Sequence, residues 1–452
     1  MLVPNYKAKS PSGGLRIGIG NGLPYSSPSY GSRRSIRFNV RNIILLAASA
    51  CSLLLLWNMR SSSSSPASSA SPYRPGKALP RYWSVTDKKD LEGVTAWQKP
   101  KEFRVVGLVF FGRPTSVSIL DCYLKRNLAR NGGFLDEVIW LARTSVEEDL
   151  QWLDAQVEAE PAYTRRDLNF EGIDYASAYD MSENGTMYIK MDDDLVFIED
   201  HAIGTLVQHK LEHPENFVVA ANVVNQPSLS WMHYRFDAIK PYFPELTPPN
   251  PEDVAKQGRW RPSELPQWSG PEDYHITEED KLEPPFEGHR WLPLPEDYPI
   301  ENTPIATTSF DAFSQGLWHW QVAAQEHYSF FDHLENNDLW RYKFHTLDYH
   351  FMRMGIQMIA IWGEDIIESD IHNGNGDDEY HFTEVMTKRT GRHAVVDGRA
   401  IVSHYTFLPQ RSGLESTDIL ERYRAYAEEN ICPGKLAWPN KFSKPSAPQP
   451  QS

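Results

Sequence analysis

Three consecutive carboxylates follow an apolar segment in the first half of the sequence. Asp192, Asp193 and Asp194 come directly after TMYIKM at Thr186–Met191. Alternate side chains of an extended chain point the same way, so Asp192 and Asp194 would lie on one side. Adjacent carboxylates repel one another unless a cation lies among them. Because hard oxygen ligands suit Mg²⁺ or Mn²⁺, the triplet predicts a divalent metal site with Asp192 and Asp194 as ligands.

Two other structures place carboxylates at the end of a strand: an acidic turn and a calcium-binding loop. A calcium loop is rich in Gly and Asp, whereas the residues after the triplet, Leu195–Ile198, are apolar. The acidic turn stays open as an alternative. A divalent cation at this position would neutralise negative charge that develops on a leaving group.

The segments before the triplet predict a parallel α/β sheet. The run RVVGLVFF at Arg104–Phe111 is continuously apolar, which is typical of a strand buried on both faces. A helix follows and ends near Asn131, Phe134–Ala142 is the second strand, and Thr144 caps a second helix. Repeated strand–helix units form a right-handed parallel sheet, and ligands bind beyond the carboxyl ends of its strands. The triplet lies where a site is expected.

The sequence changes character after the next apolar strand, Phe217–Val224. Between Pro241 and Pro304 lie 14 of the 33 prolines, with no periodic helix or strand. A long irregular stretch inside a domain is commonly functional or disordered. We expect either an ordered insertion over the core that shapes an acceptor site, or a mobile loop.

The amino-terminal region predicts a membrane anchor. The run Ile43–Trp57 is apolar and uncharged, and the segment before it is basic, which places the remainder of the chain in the lumen. A cleaved signal sequence is the alternative. The predicted organisation is a cytosolic tail at 1–42, a transmembrane anchor at 43–59, a Ser/Pro-rich stem at 60–102, a catalytic domain at 103–432 with the insertion at 241–304, and a disordered tail at 433–452.

Charge and cysteine content narrow the function further. The net charge is -15, and an acidic body argues against a nucleic-acid partner, since phosphate backbones require clustered Lys and Arg. Of the three cysteines, Cys51 lies in the apolar run. Cys122 and Cys432 are the remaining pair, and the sequence does not decide whether they form a disulfide.

The order of these motifs resembles the GT-A fold of nucleotide-sugar glycosyltransferases, particularly the family-2-like members. The resemblance rests on the first strand–helix unit, YIKMDDD as an Asp-x-Asp motif, a later acidic group and a late histidine, across Phe103 to Gln410. It implies a Rossmann-like, mostly parallel sheet with helices on both faces. It also implies Mn²⁺ or Mg²⁺, a UDP- or GDP-linked sugar donor, and a hydroxyl acceptor on a glycan, glycoprotein or glycolipid.

The resemblance also implies an acidic general base, because a neutral hydroxyl is a poor nucleophile. Asp378 is the first candidate, with Asp377 and Glu379 as rivals, and helix capping is the alternative role for this acidic group. Asp365, which follows the strand-like IQMIAIW, is a further candidate.

A histidine is also assigned by resemblance, and several arginines are candidates from their charge. His404 would complete the metal shell, although a lone histidine is otherwise usually structural. Asp192 and Asp193 would bind the donor, with Arg113 as a candidate contact to its base or phosphates. The further arginines that would meet the diphosphate are Arg389, Arg392 and Arg411. Asn184 begins a glycosylation sequon.

Together these features predict a type II membrane glycosyltransferase of the Golgi or endoplasmic reticulum, inverting if Asp378 is the base. One alternative is a metal-dependent lumenal hydrolase, although no paired histidines lie beside the triplet. The other is a non-catalytic binding protein with the same fold, because fold does not imply function.

Overall fold

The computed structural model describes residues 99–168, 175–250, 260–276, 283–373 and 377–432. The predicted anchor, nearly all of the stem and the carboxyl-terminal tail lie outside these ranges. Among the helices within them, none is both long enough and apolar enough to cross a bilayer.

A nine-stranded sheet forms the centre of the described residues, in the order β3-β2-β1-β4-β10-β6-β11-β5 with β9 beside β11. Its strands are β1 Arg104–Phe111, β2 Glu137–Ala142, β3 Tyr163–Asp167, β4 Thr186–Met191, β5 Leu195–Ile198, β6 Asn216–Val224, β9 Thr346–Asp348, β10 Met358–Trp362 and β11 His393–His404. β1 to β4, β6 and β11 run in one direction, whereas β5, β9 and β10 run in the other. The predicted α/β fold with a mostly parallel sheet is confirmed.

Helices connect and flank these strands. They are α1 Pro114–Asn127, α2 Glu147–Ala159, α3 Ala202–Glu212, α4 Pro227–Arg235, α5 Gln315–Trp318, α6 Trp320–Glu335, α7 Gly363–Ser369, α8 Asp378–Tyr380, α9 Met386–Thr390, α10 Arg411–Glu415 and α11 Ile419–Asn430. A π-helical turn at His381–Val385 joins α8 to α9. Such turns are rare and occur frequently at functional sites.

The strands that lead to the triplet are the best-predicted elements. β1 and β4 have the predicted bounds, because both are apolar runs whose residues are almost all buried. The predicted helix cap at Thr144 is two residues early, because Val146 is the cap of α2. The Thr144 hydroxyl accepts a hydrogen bond from the Val146 amide, 3.1 Å away, and α2 begins only at Glu147.

The proline-rich insertion contains regular structure, so the expectation of no strand between Pro241 and Pro304 is wrong. β7 (Tyr242–Pro244) pairs antiparallel with β8 (Trp291–Pro293). Three-residue strands are too short to show periodicity, and these two pair across a long separation in sequence. Phe243 and Trp291 are fully buried. The Trp260 indole donates to Glu429 on α11 at 2.9 Å, so described parts of the insertion are packed against the body.

Cys122 and Cys432 form a disulfide, which settles the question that the sequence left open. Cys122 lies on α1, and Cys432 follows the end of α11. The bridge therefore joins the first helix of the described body to its last.

Candidate metal and donor site

The triplet occupies the turn between β4 and β5, at the carboxyl end of β4. β1 lies parallel to β4, with Val109 opposite Met191, so the residues after β1 reach the triplet. The Gly112 amide donates to Asp193 Oδ2 at 2.8 Å. Parallel pairing of two buried strands therefore places a loop amide and the acidic turn at one edge of the sheet.

Arg113 binds two of the three carboxylates. Its Nε donates to Asp193 Oδ1 at 2.6 Å, and its Nη1 donates to Asp194 Oδ2 at 2.6 Å. Burial alone would lower the pKa of Arg113, but the charges of Asp194 and Asp193 outweigh it and raise the pKa above the ordinary value. The guanidinium is thus a counter-ion within the triplet, although Arg113 also lines the cavity described below.

Asp194, Asp192 and His404 form a set of ligands suited to a cation. Each offers one ligand atom, and these atoms lie within 4.8 Å of one another. Asp194 Oδ1 is buried without a hydrogen-bond partner and lies 3.1 Å from His404 Nε2. Leaving a buried carboxylate oxygen unpaired is unfavourable, and a bound cation would satisfy it. Two carboxylates and one imidazole suit Mn²⁺ or Mg²⁺.

His404 reaches the triplet because of strand pairing. It ends β11, and its antiparallel partner on β5 is Leu195, the residue that follows the triplet. The Asn225 side chain donates to the carbonyls of His404 and Tyr405, at 3.2 and 3.1 Å. Asn225 therefore fixes the backbone that carries the histidine.

The Asp194 carboxylate is charged at neutral pH. Burial alone would raise its pKa, but the neighbouring His404 and Arg113 charges lower the pKa of Asp194 to about 2. An ionised carboxylate is the form that binds a metal.

Lys190 is a site residue that the sequence analysis did not assign. Its Nζ donates to Asp192 Oδ1 at 2.5 Å and to the Ile356 carbonyl at 2.9 Å. Burial opposes its charge, yet Asp192 and Asp378 raise the pKa of Lys190, so the ammonium stays protonated. A lysine inside an apolar strand buried on both faces is the sequence signal that would have identified it.

The structure separates the three acids that compete for the base role. Asp377 caps α8, since its side chain accepts from the Tyr380 amide at 2.9 Å. Asp377 and Glu379 both pair with Arg353, at 2.8 and 2.6 Å. Asp378 makes neither the cap nor an ion pair with Arg353, and it lines the central cavity. The capping alternative therefore belongs to Asp377.

Asp378 lies in a buried environment that favours its protonated form. Burial raises the pKa of Asp378 above its ordinary value, while Lys190 and a hydrogen bond from Tyr179 partly offset the increase. The Tyr179 hydroxyl donates to Asp378 Oδ2 at 2.7 Å. A carboxylate with a raised pKa accepts a proton more readily than an ordinary aspartate.

Asp365 lies away from the triplet. It belongs to α7, directly after β10, and β10 runs antiparallel to β4. The carboxyl ends of these two strands therefore lie at opposite edges of the sheet. Asp365 pairs with Arg392 and with Lys210, and it lines a separate cavity of about 320 Å³. Asp365 was expected near the site because it follows a strand. That expectation is wrong, because β10 runs in the direction opposite to β4.

A cavity of about 720 Å³ opens beside the triplet. The residues that line it are Phe110, Phe111, Gly112, Arg113, Arg143, Tyr175, Lys190, Asp192, Asp193, Arg353, Ile356, Gln357, Asp377, Asp378, Glu379, His404, Thr406, Phe407, Leu408 and Arg411. No described residue of the 241–304 insertion is among them, so the described insertion does not form the expected acceptor wall.

Only one of the three arginines expected at a diphosphate lines this cavity. Arg411 does so, and its Nε is buried without a hydrogen-bond partner. Arg389 donates to the Glu368 carbonyl at 2.6 Å, and Arg392 binds Asp365. The latter two therefore serve the region around α7.

No protein-family model matches the sequence, and no curated protein matches it. Among solved structures, it is similar to GalNAc-T7 with UDP, GalNAc and Mn²⁺, at 12% identity and a TM-score of 0.34, over 68% of this chain and 44% of that chain. Another similar structure is glucosyl-3-phosphoglycerate synthase from Mycobacterium tuberculosis with Mn²⁺, UDP and glucosyl-3-phosphoglycerate. The match has 13% identity and a TM-score of 0.23, over 37% of this chain and 57% of that chain.

A third similar structure is 4-diphosphocytidyl-2C-methyl-D-erythritol synthase from Anaerococcus prevotii, at 9% identity and a TM-score of 0.21, over 26% of this chain and 55% of that chain. The chain thus spans about half the length of the structures it matches.

Proposed function

We propose that this chain is a metal-dependent glycosyltransferase with a GT-A fold, which moves a sugar from a nucleotide-sugar donor to a hydroxyl acceptor. One observation carries the proposal. Asp192 and His404, two members of the metal-binding set, line the same cavity as Asp378, a buried carboxylate with a raised pKa. The cavity volume of about 720 Å³ is within the range of small-molecule sites.

The side chains divide the work of transfer between them. Asp192, Asp194 and His404 would hold Mn²⁺ or Mg²⁺, which when bound neutralises charge on the departing diphosphate. Arg411 lines the cavity, where its guanidinium would meet phosphate oxygens. Asp378 accepts the proton of the acceptor hydroxyl while the oxygen bonds to the anomeric carbon and the bond from that carbon to the donor phosphate breaks.

This division implies inversion at the anomeric carbon, because the acceptor attacks from the face opposite the leaving diphosphate. The donor is proposed to be a UDP- or GDP-linked sugar. The acceptor is a hydroxyl on a glycan, glycoprotein or glycolipid.

The proposed location is the Golgi or endoplasmic reticulum membrane, with the body in the lumen. The Cys122–Cys432 disulfide supports it, since disulfides persist in oxidising compartments. The charged flank of the apolar run Ile43–Trp57 supports the type II orientation. Asn184 is exposed, so its sequon is accessible to lumenal glycosylation.

A thermal-shift panel of UDP, GDP and their sugar conjugates, each with and without Mn²⁺, tests the proposal. Ligands that bind only the folded state raise the melting temperature, so one nucleotide should do so in a metal-dependent manner. Asp194→Ala should abolish that shift and lower sugar transfer by roughly 10⁴-fold, since a catalytic metal contributes several kcal/mol.

Asp154→Ala is the control, because Asp154 is an exposed carboxylate paired with Arg165 and does not line the cavity. It should keep both the nucleotide shift and the activity. Full metal-dependent binding and activity in Asp194→Ala would contradict the proposal.

A further inference from the structure

The four most exposed large apolar side chains of the described residues lie on segments that line the central cavity or adjoin its lining. They are Leu408 (74% exposed), Phe313 (61%), Met352 (60%) and Trp318 (57%), and we refer to these four as the apolar rim. Single exposed apolar residues are ordinary, but a concentration of them beside a cavity marks a binding surface.

Two members of the rim are tied directly to the cavity wall. Leu408 itself lines the cavity, next to Phe407, whose ring centre is 4.5 Å from that of His404. The ring of Phe313 lies 5.1 Å from the guanidinium of Arg353, which also lines the cavity. The rim is therefore continuous with the wall that holds the metal-binding histidine.

The other two members are fixed by the backbone. Trp318 ends α5, whose Gly316 carbonyl accepts a hydrogen bond from Gln410 at 2.6 Å, in the same turn as Leu408. Met352 precedes Arg353 and follows two consecutive left-handed residues, His350 and Phe351, with φ of 49° and 64°. Non-glycine residues rarely adopt this conformation, and such strain is concentrated at ligand-binding sites.

The chemistry of the rim favours an alkyl group over a charged ligand. Asp377 and Glu379 are already paired with Arg353, so these charges are neutralised within the protein rather than left for a charged ligand. Leu408 and Met352 are aliphatic and Phe313 and Trp318 are aromatic, so all four rim side chains offer apolar surface and none carries a charge. Their burial by an alkyl chain would be favourable.

We propose that the apolar rim binds the alkyl part of a glycolipid acceptor, while the acceptor hydroxyl enters the cavity beside Asp378. This proposal rests on the proposed transferase function and names its acceptor class. The rim would keep the chain of a lipid acceptor at the mouth of the cavity, with only the head group inside.

Binding of short alkyl glycosides to the full chain tests the rim. The protein is reconstituted in phosphatidylcholine nanodiscs, with empty discs as the blank, and saturation-transfer NMR compares hexyl and methyl glycosides of glucose, galactose and N-acetylglucosamine. A buried methylene strengthens binding roughly fourfold, so partial burial of the hexyl chain should give about a tenfold preference over methyl for at least one sugar.

The variant Phe313→Ser/Leu408→Ser should reduce that preference to near unity. Both residues are exposed, so the fold should be retained. Trp231→Ser is the matched control, because Trp231 is an exposed tryptophan (45%) on α4 that does not line the cavity. Trp231→Ser should leave the preference for hexyl over methyl unchanged. Partition of the hexyl probes into the disc lipid is the same for all variants, so it cannot produce a difference between them.

Equal binding of hexyl and methyl glycosides by the native chain, or no detectable hexyl binding, would overturn the proposal. So would a preference that survives in the rim variant. Weakening of both probes by the same factor would show that the rim stacks on sugars, which also overturns it. Failure of the transferase proposal has a different signature, the absence of a metal-dependent nucleotide shift.

Discussion

Two acidic clusters follow strands of the central sheet, one at the triplet and one at Asp365, and their hydrogen bonding differs. Asp365 has both oxygens paired: Oδ1 with Arg392, and Oδ2 with Arg392 at 3.0 Å and Lys210 at 3.1 Å. Asp194 Oδ2 is paired with Arg113, but Asp194 Oδ1 makes no hydrogen bond and faces only the imidazole of His404, at 3.1 Å. Both oxygens of Asp365 thus have lysine or arginine partners, whereas one oxygen of Asp194 has neither.

Each cluster contains a buried lysine, and the two lysines respond oppositely to their surroundings. Burial lowers the pKa of Lys210 to about 8, since Asp365 only partly offsets it and Arg392 adds to it. Burial also opposes the charge of Lys190, but Asp192 and Asp378 reverse the effect and raise its pKa. The excess of negative charge around Lys190 is the electrostatic signature of a site that accepts a further cation.

The strongest test of this comparison is to neutralise Asp378, which lines the same cavity as the triplet, and separately Asp365. Asp378→Asn should lower kcat by roughly 10²–10⁴-fold, because the base is lost, while leaving metal-dependent nucleotide binding intact. Asp365→Asn should leave kcat per folded molecule unchanged. Steady-state transfer assays and a nucleotide titration measure both, and equal losses of kcat in the two variants would remove the distinction.

The same experiment has a pH dependence with a defined sign. Asp378 must be ionised to accept a proton, and burial raises its pKa above the ordinary 3.8. The acid limb of the native kcat profile should therefore lie above pH 3.8, with activity rising as the pH increases through the raised pKa. Asp378→Asn should lack this limb.

The second prediction concerns stability. Asp365→Ala should lower the free energy of unfolding by roughly 3–5 kcal/mol, because it leaves Lys210 and Arg392 without their buried partner. Urea denaturation measures the change. Asp154→Ala, which removes a partly exposed ion pair with Arg165, is the control and should cost less than about 1 kcal/mol. Similar values for the two variants would show that Asp365 is not a buried structural ion.

The smallest expected effect concerns Lys210. Its pKa is about 8 in the folded chain against an ordinary 10.5, so the unfolded chain binds more protons between these values. Stability of the native chain relative to Lys210→Met should therefore rise with pH, by about 2 kcal/mol between pH 8 and 9.5. Denaturation of both proteins at each pH gives the difference. A difference that does not change with pH would contradict the lowered pKa.

Local sequence patterns were enough to predict β1, β4 and the triplet at the carboxyl end of β4. The resemblance to the GT-A fold, rather than a local pattern, indicated His404 beside the metal, a role that remains a prediction. Local patterns did not give the direction of β10, because a short apolar run has the same pattern in a parallel and an antiparallel strand. Asp365 was therefore expected at the wrong edge of the sheet. The Tyr179–Asp378 hydrogen bond also escaped prediction, since it joins residues 199 positions apart. Contacts over such separations are set by packing of the whole sheet.

The Cys122–Cys432 bridge has a consequence for the order of biosynthesis. The two cysteines are 310 residues apart, so the second emerges from the ribosome only after almost the whole described body has been made. The bond thus secures a completed fold rather than guiding early intermediates. In the chain-entropy model, closing so long a loop stabilises the folded state by about 6 kcal/mol. Recombinant production in a reducing cytosol would forgo that stabilisation, so a secretory expression route is the rational choice.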